Sequence, residues 1–501
     1  MIQRLHRSIF FSGVERYGSA LFSLVSTAVL SRLLTPKEFG LYAAVVALTT
    51  VATACSQEFG GANYLIQKST LAKQDIRTAF TITWCMSALL GVVVFELRNT
   101  IASFYSEDGL RSGIAIFASG FLLMPFSATI SALLRREMAF DVLARCNLAA
   151  AFITAATSIT LAVCGWSYLG LLTGSVIGQA AAVLLLISCR RDLRIFRPSF
   201  KGWRDVIGFG VYSSAVVIIN AVEQSWPQLI LGRTIDFTAV GLYGRAAGAT
   251  QLFEKLFLGV LSPVIMPAIA AQRRAGADLR RLYLQGVELL TAAQWPFLTF
   301  MALMAEPIVR IWFGTGWIEV VPLIRMLCLA CLSLFAACLT YPVLVAVGRV
   351  RDTLTSSLIS LPPSLLIVFI ASFSGVRAVA ASAFLTLPLQ AAVAIYFISR
   401  RLSFSSIDLI RAISRSSIVT GCSCVGVMVT VAINGFSFTL PALGLIVAAI
   451  AGATGWWVGL AITRHPLLAH LRSAAKDIPL PIPRTLFSRH AEPVGSAEKP
   501  V

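Results

Sequence analysis

Fourteen apolar segments follow one another between about residue 8 and residue 463, and the Lys and Arg residues between them fall almost wholly in alternate loops. A helix needs about 20 apolar residues to cross a hydrocarbon layer of about 30 Å. Segments starting near residues 8, 39, 78, 113, 146, 168, 207, 240, 286, 321, 353, 377, 415 and 440 run for about that length. Backbone polar groups in lipid must be satisfied within the segment, which helices achieve. The chain therefore reads as an all-α polytopic membrane protein with about 14 transmembrane helices, and its 57% hydrophobic and 13% charged residues agree.

Of the 41 Lys and Arg residues, 30 lie at the two ends and in the even-numbered loops, and seven lie in the odd-numbered loops. Basic residues accumulate on the cytoplasmic side, so both termini are predicted to be cytoplasmic. The formal charge of +18 then reports topology and contact with anionic membrane lipids, not nucleic-acid binding. Four basic residues, Arg16, Arg245, Lys255 and Arg325, obey neither side of the rule and fall inside spans.

Several readings of chemistry are weak. The first span follows Arg4 and Arg7 as a signal peptide would, but it is long, holds Glu15 and Arg16 and lacks a convincing cleavage site, so it is expected to be retained. Cys328-x-x-Cys331 and Cys422-x-Cys424 have no second ligand pair nearby and read as small apolar residues. His6, His465, His470 and His490 are terminal, leaving no imidazole expected for catalysis or metal binding inside the membrane. No cofactor is expected. From about 464 the chain turns polar and Pro-rich and reads as a disordered cytoplasmic tail.

An internal repeat appears when residues 30–43, LSRLLTPKEFGLYA, are laid on residues 231–244, LGRTIDFTAVGLYG. Leu30, Arg32, Gly40, Leu41 and Tyr42 meet Leu231, Arg233, Gly241, Leu242 and Tyr243. Both copies join the first two spans of a six-span block, which divides the chain into lobes at 1–206 and 207–400, spans 13 and 14 at 401–463 and a tail at 464–501. Parallel repeats of this kind commonly hold a substrate path between them.

Helical spacing marks the walls of that path. In span 1, Ser8, Ser12, Glu15, Arg16, Ser19, Ser23 and Ser26 share an arc of about 100°. Span 2 carries Thr49, Thr53, Ser56, Gly60, Asn63 and Gln67; span 7 carries Ser213, Asn220, Gln224 and Gln228 with Glu223 at the margin. Span 8 carries Arg245, Gly248, Gln251, Lys255, Gly259 and Ser262. Small polar residues also serve close helix packing, the plainer explanation for any single serine. Charges are harder to explain so, because an ionised group at mid-bilayer costs roughly 3 kcal/mol or more unless it faces water or a partner. Besides the four basic residues, Glu15, Glu58, Glu223, Glu254 and Glu288 lie in the interior, where structural ion pairing competes with a role in transport. Pro125, Pro227, Pro263, Pro296, Pro342, Pro362, Pro363 and Pro388 interrupt spans and are expected to bend some of them.

The stretch Leu34-Thr35-Pro36-x-x-Phe39-Gly40-Leu41-Tyr42 resembles the polysaccharide or oligosaccharide flippases of the multidrug/oligosaccharidyl-lipid/polysaccharide exporter superfamily. Gln57-Glu58-Phe59-Gly60, LILGR at 229–233, VGLYGRA at 240–246 and Ala305-Glu306-Pro307-Ile308 running into Phe313-Gly314 extend the likeness over most of the chain. The resemblance implies two six-helix lobes around a central cavity, two extra C-terminal helices, and alternating access. Its substrate would be an undecaprenyl-diphosphate-linked repeat unit crossing a bacterial inner membrane for exopolysaccharide or lipopolysaccharide synthesis. Arg16, Arg245, Lys255 and Arg325 would bind the anionic headgroup, and Ser19, Ser23, Thr53, Asn63, Asn220, Gln224 and Gln251 would line the sugar path. Glu15, Glu58, Glu223 and Glu288 are candidates for proton or sodium coupling. Where many relatives carry an acid just before the LILGR-like run, this chain has Trp226-Pro227-Gln228, with Glu223 one turn earlier. A monomer is expected, with the polysaccharide polymerase and chain-length machinery as partners.

Three rivals stand beside this reading. A cation-coupled multidrug exporter should have an acidic, aromatic cavity, and the lipid II flippase belongs to the same superfamily. A membrane glycosyltransferase or polysaccharide polymerase usually needs a large outside loop or an acid-rich catalytic site, whereas the outside loops here are short, the longest from about Arg98 to Ser112.

Overall fold

The structure, a computed structural model, describes residues 2–59, 61–68, 70–190, 192–258, 278–335, 343–344 and 350–477. The described regular elements are helical. In the first half they are α1 (Ile2–Leu33), α2 (Pro36–Phe59), the short α3 (Ala62–Gln67), α4 (Lys73–Tyr105), α5 (Gly109–Gly120), α6 (Met124–Arg136), α7 (Phe140–Leu161) and α8 (Ser167–Cys189). The second half holds α9 (Trp203–Thr234), α10 (Phe237–Thr250), α11 (Leu279–Leu303), α12 (Ala305–Trp312), α13 (Val320–Cys331), α14 (Val350–Ser372) and α15 (Val376–Leu402). Then follow α16 (Ser406–Ile433), α17 (Ala442–Ile462) and α18 (Pro466–Asp477).

Seven described helical stretches are long and apolar enough to cross a membrane, or up to nine if each of two bent pairs is one span. One of the seven, Phe140–Cys189, is two antiparallel helices: Gly174 approaches Ser158 and Gly178 approaches Thr154 as α8 runs back along α7. The expected count of 14 exceeds these numbers for physical reasons. Helices α1 and α9 are 32 residues long but carry charged and polar faces, and α10 leads through a π-turn (Glu254–Leu258) into residues outside the described set. The sharp bends lie between α5 and α6 (41°), just before Pro125, and between α11 and α12 (71°) at Met304. Pro227, Pro296, Pro362, Pro363 and Pro388 lie inside helices that continue through them, and Pro263 and Pro342 lie outside the described residues.

The alternation read from charge reappears as contacts. Lys37 meets Glu107 at 3.0 Å and the Tyr168 hydroxyl donates to the Gly109 carbonyl at 2.7 Å, both joining odd-numbered loops. Arg190 meets Glu137 at 2.7 Å, Arg401 meets Asp352 at 2.6 Å and Arg280 meets Asp408 at 2.8 Å, all joining even-numbered loops. Each contact ties two loops that the charge pattern places on one side. Below, the end holding the arginine-rich loops is the basic end and the opposite one the far end.

The repeat is also structural. Thr35 starts α2 in a reciprocal cap, its hydroxyl accepting from the Glu38 amide at 3.3 Å and its own amide donating to the Glu38 carboxylate at 2.8 Å. At the equivalent position Asp236 caps α10, accepting from the Ala239 amide at 2.7 Å. A β-carbon on Gly40 would collide with the Phe237 carbonyl, and one on Gly241 with the Pro36 carbonyl. Pro36 and Phe237 are themselves matched by the repeat, so the contact is reciprocal, as a two-fold requires. Only glycine permits this crossing.

Around it, one apolar cluster straddles the halves: Leu41, Val45, Ile114 and Leu172 pack with Leu231, Val240 and Val379. Separate cores fill each half, with Ile82, Ile130 and Leu186 in the first and Leu298, Ile324 and Ala380 in the second. Helices α16 and α17 form a hairpin against α11. Where a tail without structure was expected from 464, Pro466–Asp477 is helical, because Leu467, Leu468 and Leu471 give one turn-spaced face that packs on Ala292, Val419 and Leu460. Residues 478–501 lie outside the described set.

Candidate functional site

At the far end the two halves are tied together. The Trp312 indole donates to the Leu24 carbonyl at 3.1 Å and the Trp317 indole to the Ser31 carbonyl at 2.7 Å. The repeat-matched arginines both reach across: Arg32 donates to the Ile311 carbonyl at 2.7 Å, and the Arg233 guanidinium lies 5.1 Å from the Phe104 ring. Tyr105 adds a bond to the Leu229 carbonyl at 3.3 Å.

Arg245 sits in this seal. It is 7% exposed, and its guanidinium carbon lies 3.5 Å from the Phe39 ring centroid, 5.2 Å from Phe313 and 5.3 Å from Trp317. Phe39 belongs to the first half and the other two rings to the second. Two of its nitrogens, Nε and Nη2, find no acceptor among the described residues. Aromatic faces offset part of the loss of hydration, about 2 kcal/mol for a desolvated cation. A buried cation left without counter-ion or acceptor costs several kcal/mol. Arg245 is thus stored at the far end, away from the other basic residues expected at the headgroup.

Towards the basic end the Arg16 Nε donates to the Lys255 backbone carbonyl at 3.0 Å, a polar link between the halves. Arg16, Ser23 and Lys255 are exposed, and Ser19 and Gln251 half-buried. On α1 a second exposed face, Val14, Tyr17, Leu21 and Val25, lies about half a turn from Arg16 and Ser23. An apolar exposed face suits lipid, and a cationic and hydroxyl face on the other side of the same helix requires water or a polar ligand. Asn220 and Gln224 are exposed on α9, and their row continues into Gln228, which nears Gly244 at the glycine crossing. Thr53 is half-buried on α2. Polar rows on α1 and α9 thus descend from the seal towards Arg16 and Lys255.

Other expected members lie elsewhere. Thr49 bonds its own helix and Ser56 bonds Ser87 of α4, so both serve packing. The Glu15 carboxylate accepts from Asn147 of α7 at 2.6 Å, a buttress for α1. Glu223 shares a hydrogen bond with Gln390, whose amide donates to Ser364 at 3.5 Å, inside the second half. Arg325 lies 5.8 Å from the Phe438 ring, beside the α16–α17 turn, and is not brought near Arg16 or Lys255. Glu288 pairs with Arg415 at 3.4 Å and stands 3.8 Å from the His465 Nε2, between α11 and α16. The side chains of Glu58 and Asn63, and all of Gly259 and Ser262, lie outside the described residues.

Sequence reasoning missed His465. It was set aside as terminal, yet the turn after α17 folds it to 2% exposure against Ser416, at 3.4 Å. Its Nδ1 accepts from the Leu467 amide at 3.2 Å, which leaves the proton of the neutral ring on Nε2. Among the described residues no group of three His, Cys, Asp or Glu side chains is placed to hold a metal ion. Beside this cluster, an apolar groove of about 1000 Å³ runs between α11 and the α17–α18 pair, lined by Phe253, Phe257, Tyr283, Phe297 and Trp456.

Residues 29–322 match the profile of a family described as polysaccharide biosynthesis protein. The chain is 22% identical over 335 residues to an uncharacterized membrane protein in the cps region of Klebsiella pneumoniae, covering 65% of this chain and 67% of that one. It is 22% identical over 309 residues to the lipopolysaccharide biosynthesis protein WzxC of Escherichia coli (strain K12), covering 61% of this chain and 62% of WzxC. Among solved structures, it superposes on the lipid II flippase MurJ in an inward closed conformation with a TM-score of 0.74 at 11% identity, covering 92% of this chain and all of MurJ. An inward-facing multidrug transporter of the MATE family gives a TM-score of 0.65 at 16% identity, covering 77% of this chain and 94% of the transporter. The fold is therefore the one shared by these transporters.

Proposed function

This chain belongs to the polysaccharide biosynthesis protein family, and from that premise we propose that it is a flippase for undecaprenyl-diphosphate-linked oligosaccharide repeat units. It turns them from the cytoplasmic to the periplasmic leaflet of a bacterial inner membrane, for exopolysaccharide or lipopolysaccharide synthesis, by alternating access. One observation carries the reading: two pseudo-symmetric halves are sealed by a glycine crossing at the far end while cationic and amide side chains stand exposed below it. A sealed end and an accessible polar interior are what one half-cycle of alternating access requires.

In this reading Arg16 and Lys255 receive the diphosphate, whose charge gains from guanidinium and ammonium partners in a low-dielectric site. Ser19, Ser23, Thr53, Asn220, Gln224 and Gln251 replace the hydration of sugar hydroxyls. Opening the far end parts Phe39 from Phe313 and Trp317, dismantles the cage and releases Arg245 to the headgroup as it crosses. The lipid chain stays in the bilayer or in the aromatic groove beside α11. Glu223 is the acid best placed for proton or sodium coupling, since it is tied to Gln390 rather than to a cation. Glu288 is tied to Arg415 and Arg325 lies against Phe438, and this reading gives neither a part in the path.

The test is deletion of the gene, with lipid-linked repeat units measured leaflet by leaflet. Build-up on the cytoplasmic leaflet together with loss of surface polysaccharide is expected. Normal polymer without build-up would remove the proposal.

A further inference from the structure

A second charged cavity, of about 610 Å³, opens between the starts of α11 and α16, at the basic end and apart from the path between the halves. Four arginines and three acids line it. Two arginines are fixed: Arg280 holds Asp408 at 2.8 Å, and Arg415 holds Glu288 at 3.4 Å. Asp278 is engaged as a helix cap, accepting from the Arg280 amide at 2.9 Å. That leaves Arg281 and Arg411, exposed, with no hydrogen bond or ion pair to their guanidinium groups among the described residues. The ion pairs set the walls, and the two remaining guanidinium groups are the ones available to an anion.

The surroundings say which anion. At about 100° per residue, Arg411 and Ser414 fall on one stripe of α16, about 60° wide, with Ile407, Ile418 and Val425. Those three apolar residues are 60%, 53% and 63% exposed. A stripe of exposed Ile and Val on a membrane-spanning helix faces acyl chains, and Arg411 lies on that stripe between Ile407 and Ile418, near the start of α16 at headgroup level. A ligand with a singly charged head and apolar tails meets both features, and its one negative charge matches the excess of one arginine in the cavity.

We propose that this cavity binds the phosphodiester headgroup of an anionic glycerophospholipid of the surrounding leaflet, with its chains lying along Ile418 and Val425. The site joins α11 to α16 and so clamps the C-terminal hairpin to the second half. It does not depend on the transported substrate.

Native mass spectrometry of the full chain in detergent, titrated with phosphatidylglycerol or phosphatidylcholine, tests it. Preferential retention of phosphatidylglycerol is expected, falling roughly fivefold for each arginine removed in Arg281→Gln and Arg411→Gln. Arg351→Gln with Arg400→Gln, which removes equal charge at the same end, should leave retention unchanged. Inorganic phosphate should not displace the lipid. Equal retention of both lipids by the unaltered chain overturns the proposal without recourse to any variant. Equal loss in the Arg351/Arg400 variant reduces the effect to diffuse surface charge, and displacement by phosphate makes the cavity a free-anion site; both overturn it. Displacement by equimolar undecaprenyl diphosphate also overturns it, by assigning the cavity to substrate.

Discussion

The two ends of the contact between halves are built on different principles. At the far end the contacts are backbone to backbone, indole to carbonyl and cation to ring, reciprocal about Gly40 and Gly241. At the basic end the Arg16 side chain bonds the Lys255 carbonyl, and the neighbouring polar groups stand exposed. A close-packed seal without side-chain freedom has few intermediate arrangements, so it is either made or broken, whereas a loosely bridged end adjusts to ligands of different size. A switch therefore belongs at the far end and a binding surface at the basic end.

The largest effect is expected from Gly40→Leu combined with Gly241→Leu, which drives side chains into the carbonyls of Phe237 and Pro36. Overpacking costs about 1–3 kcal/mol or more per site, so export should be lost and far-end cysteine probes should become reactive. Unchanged export would show that the crossing does not matter.

Next come Arg16→Gln and Lys255→Gln. Hydrogen bonds to charged groups are worth roughly 1.5–3 kcal/mol, so export by the double variant should fall more than tenfold, with membrane levels intact. Since Arg16 uses the backbone carbonyl of residue 255, Lys255→Gln leaves that bond in place and isolates the ammonium. Full complementation would remove both residues from the mechanism.

Arg245→Met separates stability from transport. Replacing a poorly compensated buried charge by an apolar chain of similar length is often neutral or stabilising, by about 1–4 kcal/mol. Thermal stability should hold or rise while export falls. A clear loss of stability would mean that the aromatic cage compensates the charge fully.

A smaller effect concerns pH. Burial, and then Arg415, hold the His465 imidazole down at about 4, against its ordinary 6.5. The unfolded chain therefore binds more protons than the folded one between these values, and stability falls as pH drops through that window. Above about 6.5 this residue contributes no slope. Thermal melts of His465→Gln should lose that part of the acid sensitivity; an identical profile would place its origin elsewhere. Single substitutions such as Ser23→Ala should be smallest, within about threefold in export, because one hydroxyl among many contributes about 0.6 kcal/mol on average.

The features legible in sequence are those written locally. Loop charge gave the alternation that Lys37–Glu107 and Arg401–Asp352 reproduce, and the repeated Gly-Leu-Tyr stretch marked the crossing, since a close helix approach demands glycine at both positions. Periodicity located polar faces on α1 and α9 but not what each face meets. Arg245 shares a stripe with Gln251 and Lys255 in sequence, yet its cage is made by Phe39, Phe313 and Trp317 from distant segments. Arg325 and Glu288 read as charges within spans, whereas their partners, Phe438 and Arg415, come from the distant C-terminal segments. His465 and the helix after it were hidden by a polar composition whose apolar face, Leu467, Leu468 and Leu471, is only one turn long.

If the far-end seal opens for each passage of substrate, locking it shut stops transport. In a background with the native cysteines replaced, Arg32→Cys and Ile311→Cys are introduced at the contact between α1 and α12 and cross-linked, and transfer of a lipid-linked repeat unit between leaflets is measured in proteoliposomes. Transfer should stop on cross-linking and return on reduction. Undiminished transfer by the cross-linked protein would mean that substrate crosses with the far end closed.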